Sequence, residues 1–215
     1  MNTIGTVCVI AVLVWPSIGS AEQLHIGGNA RAFHEDQFRE RDIAVEPAAV
    51  NDVEILVELV GIPNLAKINE LRLQIRRSIG LQNAFALYAN GYRSIVYDPN
   101  WAAVATADFY LALGHEAGHL FCGHVIGNSV APTIDQELEA DQFGGASIRR
   151  FEVYHNRSFF PAVMAVAMNK YPEQASPLYP SRGARLAALR MGYEEGSPCG
   201  GLAPVSQPGF SRGVR

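Results

Sequence analysis

His115-Glu116-Ala117-Gly118-His119 sets two imidazoles four residues apart, with a carboxylate directly after the first. On a helix, positions four apart share a face, so both rings can grip one zinc ion. Glu116 then lies beside the ion without binding it, where it can take a proton from attacking water and pass it to a leaving amine. The preceding run Thr106-Ala107-Asp108-Phe109-Tyr110-Leu111-Ala112-Leu113 offers a Thr N-cap, an early acid and no proline. That pattern predicts a helix beneath the motif.

A catalytic zinc keeps three protein ligands and leaves one position for water, whereas a structural zinc takes four. A third His six residues after His119 would make a metzincin site, but that position is Val125, and Cys122 stands where the pattern has Gly. Further on, Thr133 and Gln136 form a capping box just after Pro132 and predict a second helix. On it Glu137 and Asp141, four apart, face the same way. Glu137, 18 residues beyond His119, is expected to complete a His-His-Glu site. Asp141 is expected to bond a ring N–H of His115 or His119. Glu139 points elsewhere and reads as a solvated charge. His124 lies five residues after His119, and about 500° of helix rotation would carry it off the zinc face. It reads as a backing or substrate-side group, or as a helix-terminal His favoured by the macrodipole, and its loss is expected to leave zinc stoichiometry unchanged.

Gly114-His115-Glu116-Ala117-Gly118-His119, His124 and Glu137-Leu138-Glu139-Ala140-Asp141 together resemble the gluzincin peptidases of the CAAX prenyl protease and HtpX type. Those enzymes carry H-E-x-x-H, often a further His at this spacing, and E-x-x-x-D whose Glu is the third zinc ligand. Their His-Pro segment with an Arg six residues on is matched by Tyr179-Pro180 and Arg185, with Tyr179 in place of the His. The resemblance covers about residues 84–195 and implies that Tyr179 and Arg185 line the oxyanion side of the cleft. The family's membrane-spanning helices are missing, so the likeness is to the catalytic core.

Net charge is −4 and the pI about 5.9, which gives no reason to expect nucleic-acid binding. Ile4 to Val14 is an apolar run of signal-peptide length, with Gly19 and Ala21 suited to a cleavage site. Residues 1–21 therefore read as a signal peptide, residues 22–195 as the peptidase domain and residues 196–215 as a disordered tail. The chain is expected to be exported, periplasmic or secreted, with no stable membrane span once the leader is cleaved; an uncleaved N-terminal anchor is the alternative. Cys122 and Cys199 then form an even pair, read as a disulfide or as free thiols, with Cys122 as a fourth ligand disfavoured because it would close the site to water.

Residues 22–48 show no clean period. Asn51 to Val60 reads as a helix ended by Gly61, and Leu71 to Ile75 reads as a strand with a helix from Leu65 competing. Phe85 to Tyr97 reads as a hairpin about Asn90-Gly91. Its second strand, Tyr92, Arg93, Ser94, Ile95, Val96 and Tyr97, precedes the motif helix, where the resembled family holds extended substrate along an exposed sheet edge. Phe159 to Met168 and Ser181 to Met191 read as further helices, with Met164 and Met168 filling core gaps. The expected fold is α+β: a small twisted antiparallel or mixed sheet against the H-E-x-x-H helix and a second zinc-ligand helix. The expected function is a zinc-dependent endopeptidase acting on a polypeptide substrate. The alternatives are a non-catalytic zinc-stabilised binding protein and a metal-dependent hydrolase of something other than peptides. Glu116 favours an enzyme, since it adds nothing to metal affinity as a ligand.

Overall fold

The computed structural model describes residues 22–26, 41–62, 65–89, 92–124, 132–177, 179–197 and 199. In chain order its elements are β1 (Glu22–Ile26), β2 (Arg41–Pro47), α1 (Val50–Val60), α2 (Leu65–Glu70), β3 (Leu73–Arg77), β4 (Ala84–Ala89), β5 (Tyr92–Tyr97), α3 (Pro99–Val104), α4 (Thr106–Phe121), α5 (Ile134–His155), α6 (Phe160–Lys170) and α7 (Arg182–Glu195). The class is α+β, as the sequence implied. The strands run in the order β1-β2-β3-β5-β4, with β3 and β5 parallel and the other neighbours antiparallel.

The local signals explain most boundaries. Gly61 ends α1 at φ 73°, a left-handed turn that glycine adopts without strain. The sequence left Leu65 to Ile75 between helix and strand, and both form, with α2 stopping before β3 begins. The Asp98 carboxylate accepts from the N–H of Asn100, capping α3, and from the N–H groups of Gly80 and Gln82, which pins the loop before β4. The capping box of Thr133 and Gln136 is present at the start of α5. By contrast, Thr106 is the first residue of α4 and does not cap it; Ala105 holds that position with no side-chain bond.

Two strands form where no period was visible. Among the β2 residues whose burial is described, 44–47, Val45 is buried between exposed neighbours, too short an alternation to register as a pattern. The core lies between the sheet and the helices, built on Leu59, Leu73, Ile95, Leu113, Ile148 and Leu189. Met164 packs against it, but Met168 is exposed and fills no gap there. The leader, the Asn90-Gly91 turn and residues 200–215 lie outside the described residues. Among the described residues no helix is long and apolar enough to cross a membrane.

Candidate metal centre

Helices α4 and α5 converge because glycines leave their crossing bare. A Cβ at Gly118 would stand 2.8 Å from the Cα and carbonyl oxygen of Ala140, closer than packed atoms allow. At Gly114 the nearest atom would be the Cα of Gly144, at 3.1 Å. With both side chains absent the backbones nearly touch, and the face carrying His115 and His119 meets the face carrying Glu137.

The three side chains are buried and point their ligand atoms at one place. Nε2 of His115 and Nε2 of His119 are 3.1 Å apart; Glu137 Oε2 is 3.5 Å from the first and Oε1 is 3.6 Å from the second. Ligands at about 2.0–2.1 Å from a tetrahedral ion stand about 3.3 Å from one another, so this triangle has the size of a metal site. Charge agrees with geometry. With Glu116, Glu137 and Asp141 ionised and both imidazoles neutral, the state that ligation requires, three buried carboxylates face one buried guanidinium, Arg185, a formal excess of two negative charges that a divalent cation would cancel. The group can hold a metal ion.

Behind His115 lies an ionic scaffold. Asp141 Oδ1 is 2.8 Å from Nδ1 of His115, and Arg185 forks onto the same carboxylate, Nε to Oδ2 at 2.6 Å and Nη2 to Oδ1 at 2.9 Å. The Tyr171 hydroxyl donates to Asp141 Oδ1 at 2.8 Å, and its ring lies 3.8 Å under the guanidinium carbon. Burial alone would raise the Asp141 pKa, but Arg185 and His115 hold it down at about 2. Burial alone would lower that of His115, but Asp141 and Glu137 raise it to about 9 in the metal-free protein. Asp141 thus fixes the ring so that Nε2, and not Nδ1, faces the centre.

His119 is backed differently. Its Nδ1 is 3.2 Å from Nδ1 of His124, whose Nε2 is 2.8 Å from Glu139 Oε2. Burial holds the His124 imidazolium below its ordinary pKa despite Glu139. The expectation that helix rotation carries His124 off this face fails because the helix stops first. α4 ends at Phe121, Gly123 turns left-handed at φ 78°, and the His124 N–H bonds back to the His119 carbonyl at 2.8 Å. Glu139 is correspondingly an exposed carboxylate with a buried partner and not a merely solvated charge.

Glu116 Oε2 accepts from the N–H of Ala86 on β4 at 2.7 Å, which ties the carboxylate to the sheet. Burial, reinforced by Glu137 and opposed by His115, raises its pKa to about 8.

One sequence expectation is corrected. Tyr92–Tyr97 is not a sheet edge: β5 pairs with β3 on one side and β4 on the other, so Tyr92, Arg93, Ser94, Ile95, Val96 and Tyr97 have no open edge to offer an extended chain. Arg93 is further committed to the Leu71 carbonyl at 3.0 Å, and the Tyr97 hydroxyl to Asp52. The terminal strand is β4, where the hairpin turns back, and it is β4 that reaches Glu116. Arg185, expected on the oxyanion side of the cleft, gives Nε and Nη2 to Asp141 behind His115, with Nη2 also 3.8 Å from Glu137 Oε2. Tyr179 is buried just before α7, its main chain clasped to Ser176 by an N–H to Oγ bond at 3.0 Å and a carbonyl bond at 2.9 Å. Cys122 is bonded to Cys199, with Cα atoms 5.2 Å apart, and is therefore no ligand. Sequence reasoning missed Tyr171 and Ala86, for which it held no signal; Gly123, as a helix stop, was the signal that could have recovered His124. In comparisons with family models, curated proteins and solved structures, nothing matches this chain.

Proposed function

We propose that the chain is a zinc-dependent endopeptidase, exported and acting on extended polypeptide. The observation that carries the reading is the conjunction at one buried point of His115, His119 and Glu137 with a second carboxylate, Glu116, buried beside them. Two imidazoles and one carboxylate are the ligand set of catalytic zinc, which leaves a position for water. A purely structural site has no use for a further buried carboxylate that is not a ligand. When bound, the ion would polarise the scissile carbonyl and make water acidic enough to attack at neutral pH.

The remaining work belongs to the chain. Glu116 takes the proton of the attacking water and delivers it to the departing amine. The Ala86 N–H orients that carboxylate, so proton acceptor and sheet edge are one assembly. A substrate strand added outside β4, the terminal strand, would lie beside Glu116. Tyr179 is assigned the oxyanion bond through its phenol, and Arg185 with Asp141 keeps His115 presenting Nε2. The Cys122–Cys199 bond supports export, because disulfides persist in oxidising compartments.

The deciding experiment is metal analysis of the purified chain followed by casein hydrolysis with and without chelator. One zinc per chain, with proteolysis lost to chelator and regained on adding zinc, is expected. Full zinc content with no cleavage of casein or other unfolded proteins would instead indicate a binding protein stabilised by its metal, and absence of zinc affinity would end the reading.

A further inference from the structure

We infer that His124 and Glu139 are a positioning pair for His119, setting its tautomer and through it the affinity of the centre for its ion. The inference rests on the zinc reading of His115, His119 and Glu137.

The proton arrangement follows from the groups themselves. An ionised carboxylate only accepts, so the ring nitrogen 2.8 Å from Glu139 Oε2, Nε2 of His124, carries a proton. A neutral His124 then presents a lone pair at Nδ1. The contact of 3.2 Å between that atom and Nδ1 of His119 holds one proton, which must come from His119. With Nδ1 protonated, His119 is left with a bare Nε2, the atom 3.1 Å from Nε2 of His115 and directed at the centre. The carboxylate therefore selects, through one intervening ring, the single tautomer of His119 that can bind a metal.

The chain is built to keep this geometry. Gly123 in the left-handed region and the return bond from His124 N–H to the His119 carbonyl fold the turn back on the helix end. Cys122, one residue earlier, is anchored by its disulfide. Glu139 sits two residues beyond Glu137 on α5, so the helix that supplies a ligand also supplies the far end of the relay. The two imidazoles are thereby backed by unlike devices. His115 rests on a carboxylate that is fully buried and locked to Arg185, whereas the relay from His119 ends on a side chain 50% exposed. The second device is open to the surface and is the one a substitution can alter without uncovering a buried charge.

The test measures zinc affinity by chelator competition on full-length His124→Phe, His124→Gln, Glu139→Ala and the His124→Phe/Glu139→Ala double variant, with the melting temperature of each metal-free protein. Phenylalanine keeps the ring and removes the acceptor; glutamine restores an acceptor oxygen. His124→Phe is expected to weaken zinc binding about 10- to 100-fold, as loss of such partners does elsewhere. Glu139→Ala should weaken it by a similar or smaller factor, His124→Gln should recover most of it, and the double variant should bind no worse than His124→Phe alone. The nitrogen chemical shifts of His119 should report protonated Nδ1 in the wild type and a tautomer mixture in Glu139→Ala. Wild-type affinity in both single variants, additive losses, or failure of glutamine to rescue would each overturn the pair. If His124→Phe does not fold, Glu139→Ala and the His119 tautomer decide alone. A wild-type chain that binds no zinc would instead overturn the metal reading, so the two failures are distinguishable.

Discussion

Glu116 and Glu137 are both buried carboxylates beside His115, yet substitution should separate their roles. Glu116→Gln deletes a base and no ligand, so zinc content should be unchanged while kcat falls about 100- to 10,000-fold. Glu137→Ala removes a ligand and should strip zinc and lower the melting temperature of the loaded protein. Full metal in Glu137→Ala would mean the third ligand is elsewhere. Tyr179 and Arg185 separate in the same way. Tyr179→Phe should reduce kcat about 10- to 1,000-fold with zinc and folding intact if its phenol serves the oxyanion. Arg185→Met should instead cost about 3–5 kcal/mol of stability, because Asp141 is left buried without its partner. Wild-type turnover in the first variant, or wild-type stability in the second, would refute the respective role. The metal-free protein should also show its buried protons. Glu116 and His115 are raised from 4.5 and 6.5 to about 8 and about 9, so the stability they give is complete below the lower values and is lost as pH rises through the higher ones. Asp141, lowered from 3.8 to about 2, gives stability that is present above 3.8 and lost as pH falls through 2. With chelator present, melting temperature should peak near pH 4 and fall most steeply between about 6.5 and 8, where the folded state holds two protons that the unfolded chain has released. A melting temperature that rises over that interval would show these protonations to be wrong.

At the scale of elements, the centre depends on how closely three helices approach. A Cβ on Gly145 of α5 would fall 1.9 Å from the Leu189 carbonyl oxygen of α7, and one on Gly192 would fall 1.7 Å from that of Gln142. Backbone cannot retreat as a side chain can, so α5 and α7 must part. Since α7 carries Arg185 and α5 carries Asp141, the parting also loosens the support of His115. Gly145→Ala is expected to destabilise by at least about 1–3 kcal/mol and to weaken zinc binding. Gly183→Ala, with nothing within 4 Å, should be neutral or stabilising by up to about 1 kcal/mol. Equal melting temperatures for the two variants would contradict this account of the packing. The sheet makes the complementary contribution. It places β4 at the end of the sheet and β5 between two partners, so the terminal strand is one strand away from where chain order suggested.

Across the whole molecule, the Cys122–Cys199 bond closes a separation of 77 residues and fastens the segment after α7 to the end of α4. A loop of that length should stabilise by about 2–5 kcal/mol, so reduction or Cys199→Ser should lower the melting temperature by several degrees. An unchanged melting temperature on reduction would show that the bond carries no stability. The sequence by itself determined what depends on short range. His115, Glu116 and His119 share a helix by their spacing, Thr133 and Gln136 cap the next, and Glu137 and Asp141 share its face. These are local rules of period and capping, written within a few residues of each other. Tertiary structure alone decided what depends on chain segments far apart. Asp141 could have served either histidine, and packing of α4 on α5 chose His115. Arg185 and Tyr171 reach Asp141 from 44 and 30 residues away, and no spacing in the sequence encodes that meeting. β5 became internal because β3 lies alongside it in parallel, a pairing between segments with no local signature. His124 stands between the two cases: its neighbour Gly123 is legible as a helix stop, but only the folded chain brings Glu139 to the other side of its ring. Periodicity fixes the direction of a side chain from its own element, whereas its partner is fixed by which elements the core brings together.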